Sequence, residues 1–86
     1  MKLKPEAVRA LALAELNTHT PPGGVAIDDA ATFDALQMDS LDILAFAYGV
    51  ESELTGFNGD DIEWNGRTTI GKAIADIQQQ HAKAHQ

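Results

Sequence analysis

Apolar residues in this chain cluster in three blocks at helical spacing, and the intervals between them are rich in glycine, proline and aspartate. Over residues 5–17, Val8, Leu11 and Ala12 make one stripe, with Leu13 and Leu16 beside it, among Ala, Glu and Arg that favour helix. Pro5 suits the first helical position, where a missing N–H costs nothing. The run Asn17-Thr18-His19-Thr20-Pro21-Pro22-Gly23-Gly24 ends this helix, because paired prolines and glycines do not continue one. A long loop follows, in which Val25 and Ile27 are expected to reach the core. Phe33 and Leu36, at i,i+3, predict a single turn packed inward.

The second block runs from Ser40 to about Leu54. Ile43, Ala47, Val50 and Leu54 make a buried stripe with Phe46 beside it. Leu41, Leu44, Ala45 and Tyr48 form a second apolar strip, more than one buried face requires. Either the helix is central and covered on several sides, or part of the strip is left open for a partner. Gly49 in its interior costs about 1 kcal/mol relative to alanine and predicts close approach of another backbone.

Thr55-Gly56-Phe57-Asn58-Gly59 reads as a break, Asp60-Asp61-Ile62-Glu63-Trp64 as a short helical turn and Asn65-Gly66 as a second break. Thr68 and Thr69 then offer an N-cap to a last helix with Ile70, Ala73, Ile74 and Ile77 at spacing 0, 3, 4, 7. The polar tail, residues 78–86, is expected to fray. No useful β alternation is present. The expected fold is all-α, a small bundle of three main helices plus one short helix, with a long loop between the first and second, in a single domain over residues 1–86.

Composition sharpens this picture. The 86 residues include no cysteine, which excludes a disulfide framework, a thiolate metal site and a cysteine nucleophile. No stretch approaches the roughly 20 apolar residues of a membrane span, and the opening residues lack the apolar run of a signal peptide, so a cytoplasmic protein without stable membrane insertion is expected. The net charge of −7 is regional: residues 28–63 hold ten acidic side chains and no Lys or Arg, whereas residues 1–27 carry a net +1 and residues 64–86 a net +2. That field disfavours nucleic acid and favours proteins with basic patches. It serves equally as a solubilising surface.

Candidate chemistry centres on Met38-Asp39-Ser40-Leu41-Asp42. A serine at a helix start is accessible, and a phosphodiester on it would lie against unpaired N–H groups and the positive end of the helix dipole. The plainer alternative is that Ser40, or Asp39, only caps the helix. His81 and His85 stand at i,i+4 without a third metal ligand, His19 has no evident partner, and the acidic pairs Asp28-Asp29 and Asp60-Asp61 lack the spacing of a calcium loop, so no metal site is expected.

The stretch Ala31-Thr32-Phe33-Asp34-Ala35-Leu36-Gln37-Met38-Asp39-Ser40-Leu41-Asp42 resembles the acyl carrier protein signature, in which Asp-Ser-Leu opens the second helix. Thr68-Thr69-Ile70-Gly71-Lys72-Ala73-Ile74-Ala75-Asp76-Ile77 is similar to the family's last helix, so the resemblance extends from about Val8 to Ile77. It implies a non-catalytic carrier for fatty-acid, polyketide or other lipid synthesis. Ser40 would hold 4′-phosphopantetheine, loaded from coenzyme A by a phosphopantetheinyl transferase. It further implies partner recognition through Asp39, Leu41, Asp42, Leu44, Tyr48 and Glu51 by acyl-loading and acyl-transferring enzymes with basic docking patches. A monomer is expected. An acyl compartment near Phe33, Phe46, Ala47, Val50, Leu54, Phe57, Ile62, Trp64 and Ile74 is also implied, although the same residues serve as ordinary core.

Several positions depart from the pattern. Gln37 replaces a usual glycine, Ala45 a usual acidic residue, and Gly49 and Trp64 are unusual, which points to a specialised rather than a housekeeping member. Two other readings stay open: an aminoacyl or peptidyl carrier, against which Asp39 argues, and an unmodified acidic helical module that docks a partner protein.

Overall fold

A computed structural model describes residues 3–19, 27–54 and 56–84. Among these residues three helices form an all-α bundle: α1 (Pro5–Asn17), α2 (Ser40–Glu53) and α3 (Ile70–Ala84), with a single 3-10 turn (Gly59–Asp61) between the last two. The long α1–α2 connection is present as expected, but Val25 and the Pro-Pro-Gly-Gly run lie outside the described residues.

Helix α1 begins at Pro5, as its preorganised backbone favours, and Thr18 closes it, with its hydroxyl donating to Glu15 O at 2.7 Å. Its buried stripe is Val8, Ala12 and Leu16, with Leu11 half-buried against the core. Helix α1 packs closely against both α2 and α3, whereas the backbones of α2 and α3 stand farther apart, with no Cα pair between them within 8 Å among the described residues. Aromatic rings fill the interior instead. Trp64 lies 5.7 Å from Phe46, 5.9 Å from Phe33 and 5.9 Å from Phe57 between ring centroids, within the range for favourable ring packing.

Loops are joined by backbone pairing rather than by a sheet. An isolated antiparallel bridge couples Thr32 to Thr69. Around it Ile70 N donates to Ala31 O (2.8 Å), Phe33 N to Thr68 O (3.2 Å) and Asp34 N to Gly66 O (2.9 Å). The segment before α2 is thereby fastened to the segment before α3, satisfying backbone groups that would otherwise be unpaired near the core. Arg9 on α1 adds a paired contact to Asp29, which raises the Arg9 pKa and lowers that of Asp29, chiefly through the side-chain hydrogen bond.

Four expectations need correction. Of the stretch expected to fray, residues 78–84 form the last turns of α3, because His81 extends the stripe Ile70, Ala73, Ile74, Ile77 and is buried, and residues 85–86 lie outside the described residues. Three long-range bonds hold these turns: His81 Nε2 accepts from Leu3 N at 2.8 Å, Gln78 Nε2 donates to Pro5 O at 3.0 Å, and Gln80 Oε1 accepts from Asn58 N at 3.1 Å. The short helical turn starts at Gly59 and ends at Asp61, because Asn58 caps it through Oδ1 to Asp60 N, leaving Ile62–Trp64 outside it. Gly49 admits the side chain of Glu15 rather than another backbone, since a Cβ there would overlap that carboxylate. His19 does have a partner, with Nε2 3.3 Å from Glu15 Oε1.

Candidate functional site

The approach to Ser40 is a turn, residues 33–37, that ends like a helix C-terminus. Met38 N donates to Phe33 O (3.0 Å) and Gln37 N to Asp34 O (3.0 Å), the reciprocal pair that closes a helix through one left-handed residue. That residue is Gln37, with φ of 61°. Phe33 and Met38, the apolar partners such a closure brings together, are both buried. The glycine expected from the resemblance falls at the position whose backbone favours glycine most.

Asp39 follows in extended conformation and caps α2. Its Oδ1 accepts from Asp42 N at 2.9 Å, and Asp42 Oδ2 accepts from Asp39 N at 3.2 Å, a reciprocal capping box. Ser40, at the first helical position, is therefore relieved of the capping role. Its side chain is exposed and its hydroxyl forms no hydrogen bond among the described residues.

A groove of about 390 Å³ opens beside Ser40. Met38, Ile43, Leu44, Ile62 and Trp64 supply its apolar lining; Asp34, Asp39, Asp60 and Asn65 supply polar groups. Trp64 forms one wall and its ring is held in place by Nε1 donating to Asp76 Oδ2 at 3.0 Å, while Lys72 pairs with the same carboxylate at 2.7 Å. The 3-10 turn, whose Gly59 and Asp60 also line the groove, is tied to α2 by two bonds. Glu51 Oε1 accepts from Gly59 N at 2.7 Å, and the Tyr48 hydroxyl donates to Asp60 Oδ1 at 2.8 Å. The acceptor Asp60 raises the Tyr48 pKa, first through this hydrogen bond and then through its charge.

Of the residues expected to make partner contacts, Leu41, Leu44, Tyr48 and Glu51 fall on one face of α2 by helical spacing, whereas Asp39 is its N-cap and Asp42 lies to the other side of Leu41. Leu41 is 74% exposed, Leu44 40% and Tyr48 43%, so the second apolar strip is open rather than covered. Asp39, Asp42, Tyr48 and Glu51 all carry structural bonds as well. Among the nine residues expected near an acyl compartment, only Ile62 and Trp64 line the groove. Phe33, Phe46, Ala47, Val50, Leu54, Phe57 and Ile74 are buried in the core, where the aromatic rings meet. Met38, Asp34 and Asn65 were not anticipated at the groove. Asp34 and Asn65 arrive there through the Asp34 N to Gly66 O pairing, which links residues far apart in the chain.

No family model, curated protein or solved structure matches this chain. Among the described residues no cluster of three or more His, Cys, Asp or Glu could hold a metal ion, and no helix is long and apolar enough to cross a membrane.

Proposed function

We propose that the chain is a carrier that holds acyl groups as thioesters on a 4′-phosphopantetheine arm esterified to Ser40, serving fatty-acid, polyketide or related lipid synthesis. One observation carries this reading: an exposed serine hydroxyl, free of structural duty because Asp39 does the capping, stands at the mouth of a groove with an apolar lining.

The residues present suit such a group. A phosphodiester on Ser40 Oγ would meet the positive end of the α2 dipole, where the Ser40 and Leu41 amides form no backbone hydrogen bond among the described residues. Asp39 and Asp42 oppose it by like charge, an effect that water screens because both lie at the surface. The arm would supply the thiol that a cysteine-free chain lacks. This chain's own contribution would be to position the ester at the helix start and to offer apolar shelter along Met38, Ile43, Leu44, Ile62 and Trp64. Leu41, Leu44 and Tyr48, flanked by Asp39, Asp42 and Glu51, would present an apolar surface with an acidic border to enzymes that carry basic patches.

A second reading rests on the same open face of α2: an unmodified acidic module that docks a partner protein, with Ser40 a bystander. An aminoacyl or peptidyl carrier would use Ser40 in the same way with a different cargo. Incubation with coenzyme A, magnesium and a promiscuous phosphopantetheinyl transferase, followed by intact mass measurement, separates modified from unmodified readings. A gain of one phosphopantetheinyl unit that disappears in Ser40→Ala is expected. Folded protein that gains nothing sinks the carrier reading.

A further inference from the structure

The chain contains two Asn-Gly pairs, Asn58-Gly59 and Asn65-Gly66, and the fold treats them differently. In both, the asparagine Oδ1 accepts an N–H from two residues on: Asp60 N at 3.0 Å and Arg67 N at 2.8 Å. Each donor sits where negative charge would develop if the side-chain carbonyl were attacked, so both carbonyls are polarised in the same sense.

The nucleophile is where they part. Ring closure within an Asn-Gly pair uses the backbone nitrogen of the glycine, which has no Cβ to obstruct the approach. Gly59 is buried, and its N–H is held at 2.7 Å by the Glu51 carboxylate, which opposes formation of an amide anion beside it. Asn58 is further fixed through its own N–H to Gln80 Oε1 at 3.1 Å. Gly66 is only half-buried, Asn65 is exposed, and the Gly66 N–H forms no hydrogen bond among the described residues. The Asp34 carboxylate packs on the Cα side of Gly66 without accepting from its nitrogen.

We propose that Asn65 is a deamidation site of the folded protein and that the fold protects Asn58. Solvent base removes the Gly66 amide proton, and the nitrogen attacks Asn65 Cγ. A new C–N bond closes a five-membered succinimide as the Cγ–Nδ2 bond breaks, and the side-chain nitrogen leaves as ammonia after taking a proton from water. Water then opens the ring at either carbonyl, giving aspartate or isoaspartate. The net change is amide plus water to carboxylate plus ammonium.

The product lies in the groove wall. Asn65 lines the same groove as Asp34, Asp39 and Asp60, so conversion adds a carboxylate to an acidic rim. Isoaspartate also lengthens the backbone of the turn that supplies Gly66 O to Asp34 N and Thr68 O to Phe33 N. Protein held folded at mildly alkaline pH therefore acquires an altered groove with time. This inference does not depend on what Ser40 carries.

Cleavage after glutamate places Asn58 in residues 54–63 and Asn65 in residues 64–86, so each can be followed by peptide mass, with isoaspartyl methyltransferase labelling as a second readout. In the folded protein, conversion at Asn65 is expected to run about tenfold or more faster than at Asn58, the factor equivalent to about 1.4 kcal/mol. In urea the two rates should converge. Glu51→Ala should accelerate Asn58 and leave Asn65 unchanged. Equal rates in the folded state, an Asn65 that stays amide while converting in urea, or an Asn58 indifferent to Glu51→Ala would overturn the proposal.

Discussion

The Tyr48 hydroxyl donates to Asp60 Oδ1 at 2.8 Å, and its ring lies over Gly59, where a Cβ would come within 3.0 Å of Cδ1. Helix α2 thereby holds the 3-10 turn that borders the groove. The bond keeps the phenol protonated, so its pKa lies above the ordinary 10.0. Because Tyr48 is the only tyrosine, an alkaline absorbance titration reads it alone. The midpoint is expected above that of a free tyrosine and should fall in Asp60→Ala. A folded-state pKa raised in this way contributes stability that is full below pH 10.0 and lost as pH rises through the folded value. A midpoint unmoved by Asp60→Ala would show that the bond is not made in solution.

Glu51 holds the same turn from the next turn of α2 through Gly59 N. A hydrogen bond to a charged acceptor contributes about 1.5–3 kcal/mol, so Glu51→Ala should raise amide hydrogen exchange at Gly59 by roughly tenfold or more. Amides of α1 should be unaffected.

Asp39 and Ser40 are neighbours with separate roles. Asp39→Ala removes one side of the capping box and should cost about 1 kcal/mol in urea unfolding. Ser40→Ala, at an exposed position without a side-chain bond, should stay within about 0.5 kcal/mol of the parent. A large loss in Ser40→Ala would mean that the serine has a structural role.

Gln37 occupies a left-handed conformation that costs a side chain about 1–2 kcal/mol. Gln37→Gly should stabilise the fold by up to about 1 kcal/mol after the added freedom of the unfolded chain is counted. Gln37→Val should destabilise it, since a β-branched residue tolerates that region least. Thermal melting resolves both, at about 4–8 °C per kcal/mol for a domain of this size.

The clearest sequence signals were those written in local periodicity. The span of α1, the buried stripe Ile43, Ala47, Val50 and Leu54, and the inward turn at Phe33 and Leu36 all follow from spacing, because a helix places i, i+3 and i+4 on one face regardless of its neighbours. The polar letters of residues 78–84 misled for the opposite reason. Gln78, Gln80 and His81 are held by partners 73, 22 and 78 residues away, which no window along the chain contains.

The same division runs through Met38-Asp39-Ser40-Leu41-Asp42. That a helix begins there, and that Asp39 or Ser40 caps it, was determined by the sequence alone, since a cap is a contact between residues three apart. Which of them caps was decided by backbone geometry, as was the freedom of the Ser40 hydroxyl. The groove beside it depends entirely on tertiary structure. Trp64, Ile62 and Asn65 line the groove with Ser40 because the loop before α2 pairs with the loop before α3, and because Tyr48 and Glu51 hold the 3-10 turn against α2. Those long-range bonds close loops whose entropy cost must be offset by the whole packed core, so no single stretch of the chain encodes them.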